Sequence, residues 1–195
     1  MKEKHHFIFL IDGSVGMSAQ AGRTDLKKAM TDLSSIDTKS LAGAFTLASG
    51  FYGPAAGILW HAPYNLQDPK TLDLLSVGMN SCIYPLYSGT EKMEKAIEED
   101  KRVHLVILSD DRIYDIRRNK VALEKLLKIP SKPTLDVVLI GRKGSRFEDM
   151  LGYLKESFPQ QVGVVNVRPQ NKMSGNMFSK IVSSHMKKGA KGHKL

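Results

Sequence analysis

Near its start the chain reads His6-Phe7-Ile8-Phe9-Leu10-Ile11-Asp12-Gly13-Ser14-Val15-Gly16-Met17. The first half is a short, unbroken apolar run. Such a run has no polar face to give to water, so it reads as a strand covered on both sides, the usual setting of a parallel strand. The run stops at Asp12, and the small and hydroxylated residues after it suit a turn at the strand end.

Other apolar runs of strand length follow: Ala55 to Trp60, Val103 to Leu108, Leu135 to Ile140 and Val162 to Val167, with a weaker one from Leu41 to Ala48 that is poor in bulk. Between them lie amphipathic segments of helical period. Leu26, Ala29, Met30 and Leu33 follow Thr24, a candidate N-cap, and Met93, Ala96 and Ile97 follow Thr90. Ile116, Leu123, Leu126 and Leu127 mark a helix that Pro130 and Pro133 end. Phe147, Met150, Leu151, Leu154 and Phe158 mark another, and Met177, Phe178, Ile181, Val182 and Met186 the last. Alternation of this kind predicts an α/β fold, doubly wound, with a mostly parallel central sheet and helices on both faces, a Rossmann-like three-layer architecture. The direct step between strands around Phe51-Tyr-Gly-Pro54 allows one antiparallel edge strand.

In open sheets of this class, ligands sit at the C-terminal ends of the strands. Asp12 and Ser14 follow the first strand, Ser109-Asp110-Asp111 follows Val103 to Leu108, and Ser88-Gly89-Thr90 precedes a helix. Carboxylate and hydroxyl oxygens without His or Cys form a hard donor set, which suits magnesium, manganese or calcium better than zinc. Each residue also has a plain structural use, since Asp and Ser make turns and Thr caps helices. Their joint order along the chain favours the site.

Asp12-Gly-Ser14-Val-Gly16-Met17 resembles the D-x-S-x-S-M signature of von Willebrand factor type A (vWA) domains, which form a metal-ion-dependent adhesion site. Gly89-Thr90 is similar to the family's threonine step, and Ser109-Asp110-Asp111 to its T-D-G element. The likeness covers about residues 5–188. It implies that Ser14 and Thr90 coordinate the metal through their hydroxyls, with Asp12 and Asp110 acting directly or through water. The open coordination position would accept a partner's carboxylate. Gly16 stands where the family has a second serine, and Asp111 where it has glycine, so the site is degenerate. The resemblance also implies work inside assemblies, for example beside ATPases of the AAA+ class.

Enzymatic patterns are weak, and no enzymatic activity is expected. An Asp nucleophile of haloacid-dehalogenase type needs a second carboxylate two residues on, where Ser14 stands. Gly13 and Gly16 lack G-x-G-x-x-G spacing, and no G-x-x-x-x-G-K-[ST] occurs. Asp110, Asp111 and Asp115 lie beside Arg112, Arg117 and Arg118, which reads as a solvated helix start rather than a nuclease centre. No pair among the histidines has metal-ligand spacing, so they receive no role.

Length suggests one domain, taken as residues 1–188, with a basic tail over 189–195. The lone Cys82 fits a reducing compartment, and a cytoplasmic location is expected. No apolar run approaches the roughly 18 residues of a membrane span. The chain has 29 basic and 20 acidic residues, a net +9. Seven of the positives, from Arg168 to Lys194, follow Glu156, after which no acidic residue occurs; residues 1–156 therefore carry 22 against 20, a net +2. The expected function is a protein-interaction module that engages its partner through the strand-end loops, with magnesium at Asp12, Ser14, Thr90 and Asp110. The alternative is a nucleic-acid-binding accessory protein using the basic segment 168–195, which would neutralise phosphates in a salt-dependent way.

Overall fold

The computed structural model describes residues 5–12, 28, 31–32, 45–53, 57–61, 102–109, 116–140, 144–167 and 175–190. Within them lie the strands β1 (His5–Asp12), β2 (Phe45–Gly53), β3 (Gly57–His61), β4 (Arg102–Ser109), β5 (Thr134–Ile140) and β6 (Val162–Val167). The helices are α1 (Ile116–Leu127), α2 (Arg146–Ser157) and α3 (Met177–Ala190). The expected helix behind Thr90 lies outside the described residues, as does most of that behind Thr24; residues 28, 31 and 32 of the latter are helical.

The strands form one sheet in the order β3-β2-β1-β4-β5-β6. β1 runs parallel to both β2 and β4, and β4, β5 and β6 continue in parallel, whereas β3 pairs antiparallel with β2. β2 is described from Phe45 through Phe51 to Gly53, and residues 41–44 of the weak run lie outside the described residues. Its backbone pairs with β1 from His5↔Phe45 to Asp12↔Tyr52. Ladder hydrogen bonds need no side chain, so small residues can hold the strand while leaving little trace in the apolar pattern.

β4 shows why the apolar runs read as they do. Val103 to Ser109 are all buried, as a strand covered on both faces must be. Alternation then sorts its side chains. Val103, Leu105 and Ile107 join Leu135, Val137, Leu139 and Val162 in a core with Leu123, Leu126 and Leu127 of α1 and Phe147, Met150, Leu151 and Leu154 of α2. On the opposite face His104 meets His185 of α3, ring centroids 4.4 Å apart, and α3 buries Phe178 and Val182. Both faces of the sheet therefore carry helices.

Local signals set the element ends. Ser145 caps α2 by accepting the Glu148 N–H at 3.0 Å, while Glu148 Oε2 accepts the Gly144 N–H at 2.6 Å. Ser145 thus satisfies one donor the first turn leaves open, and Glu148 reaches back to the residue before the cap. Gly144 sits at φ 90°, a backbone region that favours glycine. At the other end of α1, the Gln161 side chain donates to the Leu127 and Pro133 carbonyls, both at 2.9 Å. One amide thus ties the α1 C-terminus to the turn before β5.

Candidate functional site

The sheet order reverses between β1 and β4: the chain goes from β1 to β2 and β3 on one side, then returns to lay β4 on the other. In open sheets of this class such a reversal of strand order is the usual ligand position. The pair Ile11↔Leu108 in the β1–β4 register brings Asp12, the last residue of β1, level with Ser109, the last of β4. Ser109 is fully buried and leads directly into Asp110. The segments carrying Asp12-Gly-Ser14 and Ser109-Asp110 therefore leave neighbouring parallel strands at one edge.

Ser14, Gly16, Thr90, Asp110 and Asp111 lie outside the described residues, and so does Cys82. Of the residues expected to hold a metal, the structure locates the Asp12 backbone at the strand end. The donors fit magnesium chemically, because carboxylate and hydroxyl oxygens are its preferred ligands. Among the described residues no group of three or more His, Cys, Asp or Glu side chains is arranged to hold a metal ion.

A second polar constellation lies toward the opposite ends of the strands. His5 opens β1, and seven residues of extended chain, about 23 Å, separate it from Asp12. His5 Nδ1 and His104 Nε2 are 2.9 Å apart, and His104 Nδ1 is 2.8 Å from Thr134 Oγ1. The Phe7 ring stacks on His104 at 4.4 Å. From above, His185 of α3 donates through Nε2 to Asp136 Oδ2 at 2.6 Å. The Asp136 carboxylate occupies the space where a β-carbon on Gly163 would stand. Asp32 secures the start of α3: its carboxylate accepts the Phe178 and Ser179 N–H groups, at 2.6 and 3.3 Å, and the Ser179 hydroxyl.

Sequence reading gives the histidines no role because their partners lie far apart along the chain: 99 residues separate His5 from His104, and 49 separate His185 from Asp136. A usable signal was present all the same. His104 and Asp136 interrupt otherwise apolar runs, and a polar residue inside a buried strand requires a partner.

Neither a protein-family model nor a curated protein sequence matches the chain. Solved structures do. The chain is similar to the pilus adhesin SpaC of Lactobacillus rhamnosus GG in its open conformation, with TM-score 0.60 and 12% identity over 96% of this chain and 30% of that one. It is similar to the minor pilin PilB of Streptococcus sanguinis, with TM-score 0.61 and 12% identity over 99% of this chain and 64% of that one. A human COPII-coat protein gives TM-score 0.56 and 12% identity over 95% of this chain and 32% of that one. The chain thus spans between about a third and two thirds of the length of these structures. At such identity the likeness concerns the fold.

Proposed function

We propose that this chain is a non-enzymatic protein-interaction module of vWA type, binding a partner protein through the loops at the C-terminal ends of its strands. One observation carries the reading. The motif after β1 and the Ser109-Asp110 step after β4 leave adjacent parallel strands at the reversal of the sheet order. Three sequence elements distant from one another, Asp12-Gly-Ser14, Gly89-Thr90 and Ser109-Asp110, match the family's order. The fold likeness to an adhesin, a pilin and a coat protein is compatible with an interaction role.

In this reading Asp12, Ser14, Thr90 and Asp110 hold a divalent cation, magnesium by preference, with water where Gly16 offers no hydroxyl. The cation, when bound, supplies an open position for a carboxylate of the partner. The protein's own contribution in this reading is to hold the donors in place beforehand, so that little ordering is lost when the partner arrives. The reading extends to a cytoplasmic setting from the lone Cys82, and to a multiprotein assembly of the kind built around AAA+ ATPases. Among the described residues no helix is long and apolar enough to cross a membrane.

Affinity capture tests this reading, with wild-type protein and the Asp12→Ala/Thr90→Ala variant as baits, each with magnesium and with a chelator. A partner kept by the wild type in magnesium, and lost both in the variant and in the chelator, supports it. Partners indifferent to both changes place the interaction elsewhere on the molecule.

A further inference from the structure

β6 ends the sheet, and among the described residues no strand pairs with its outer side. We propose that this edge is a self-association surface, on which β6 of a second copy of the chain pairs antiparallel about a two-fold axis at Val165.

Pairing with β5 sorts the backbone groups of β6. Leu135 stands opposite Val162, and its N–H donates to the Gln161 carbonyl at 2.8 Å. A parallel ladder repeats every second residue, so residues 163, 165 and 167 turn their N–H and C=O groups toward β5. Residues 162, 164 and 166 turn theirs outward. The Val162 N–H is already used, since it donates to the Phe158 carbonyl at 3.1 Å. The edge therefore offers the Val162 carbonyl and both backbone groups of Val164 and Asn166.

Sheet edges are commonly blunted by charge, proline or a bulge. Val162-Gly-Val-Val-Asn-Val167 contains no charged residue and no proline, and its pairing with β5 is unbroken from Val162 to Val167. Val162 and Val164 pack on the core with α1 and α2. Val165 points to the other face, with Gly163, and is 40% exposed.

The register favours a second copy. An axis at Val165 sets Val164 of each copy opposite Asn166 of the other, so every outward group of both residues is used, in four hydrogen bonds. The two Val165 side chains then meet in the closer, non-hydrogen-bonded position, where β-branched pairs contribute to pairing. An axis at Val164 is poorer. Asn166 would face Val162, whose N–H is taken, and Val165 would face Gly163, which has no side chain to cover it.

Charge agrees with the antiparallel sense. Arg168 and Lys172 follow β6 in the sequence. The two Val167 ends lie about 14 Å apart in this pairing, beyond the screening length of about 8 Å at physiological salt. Each basic end instead starts beside the partner's β6 entrance, where the last turn of α2 sets Glu156 and the negative helix terminus against Lys155. The edge is three strands from β1, so it stands or falls independently of the metal reading.

Sedimentation equilibrium of the full chain from about 5 to about 500 μM tests the proposal, a range suited to an interface smaller than the standard size. The mean mass should rise from 21.7 kDa toward twice that value. Over the same range, amide exchange at Val164 and Asn166 should slow roughly fivefold or more. Val165→Lys and Val165→Glu, both at an exposed site, should each weaken association about tenfold or more by placing like charges on the axis. An equimolar mixture of the two should restore it. A wild type that stays monomeric overturns the proposal and leaves the edge to an extended peptide of another protein. So does association that both variants keep, or a mixture no stronger than its components. Should either variant fail to fold, the wild-type mass and the Val164 and Asn166 exchange still decide.

Discussion

Asp32 and Gly163 are small features with large leverage on α3. The Asp32 carboxylate satisfies the Phe178 and Ser179 N–H groups, which a helix start otherwise leaves without acceptors, and it is 1% exposed. Asp32→Ala should cost about 1–3 kcal/mol, because buried donors lose their acceptor and the helix dipole loses its counter-charge. Urea unfolding measures the loss, and Asp32→Asn should recover part of it. Gly163→Ala should also destabilise, by about 1–3 kcal/mol, since the added methyl must displace the Asp136 carboxylate and with it the bond to His185. A Gly163→Ala protein as stable as the wild type would show that Asp136 can move at no cost. At this scale the sequence is least legible. Asp12 stands out because it ends an apolar run, but nothing local links Asp32 to Ser179, which lie 147 residues apart. Long-range polar pairs follow from the fold and leave no periodic trace.

At the scale of elements, most of the strand and helix pattern can be read directly from the residues. Phe147, Met150, Leu151 and Leu154 predict one face of a helix, and all four are buried in α2, with Phe158 at its cap. The apolar runs from Val103 and Leu135 fall within β4 and β5 because burial on both faces leaves no place for polar residues, apart from the paired His104 and Asp136. β2 is harder to read, since its backbone pairing carries it through Gly50 and Gly53, residues that look like turn signals. Phe147→Ala, at a fully buried site, should cost about 3–5 kcal/mol in denaturant unfolding. Val121→Ser, at a site 60% exposed, should stay within about 0.5 kcal/mol. The basic C-terminal segment also has to be judged as an element. α3 buries Phe178 and Val182, so ending the chain near Arg168 would remove a structural helix along with the charges. Replacing Lys187, Lys188, Lys191 and Lys194 with Gln tests nucleic-acid binding more cleanly. Under the interaction-module reading, neither form should show salt-sensitive affinity for DNA or RNA at physiological salt.

On the scale of the whole molecule, one sheet separates the Asp12 strand end from a histidine cluster. A nearly charge-balanced body, net +2 over residues 1–156, carries the reversal of the sheet order, with Asp12 at the end of β1 beside it. Toward the opposite edge lies the histidine cluster, beneath the helix that leads into the basic C-terminus. The α/β plan was visible in the sequence because alternating periods express burial everywhere along the chain. The candidate metal site was visible only as ordered motifs, because residues so distant in sequence can meet only through the topology, and apart from Asp12 they lie outside the described residues. Calorimetric titration of magnesium and manganese into chelator-stripped protein tests that site most directly. The account predicts single-site heat with a matching rise in thermal stability for the wild type, both lost in Asp12→Ala and in Thr90→Ala proteins that remain folded. Neither heat nor thermal shift for the wild type at about millimolar ion would contradict it.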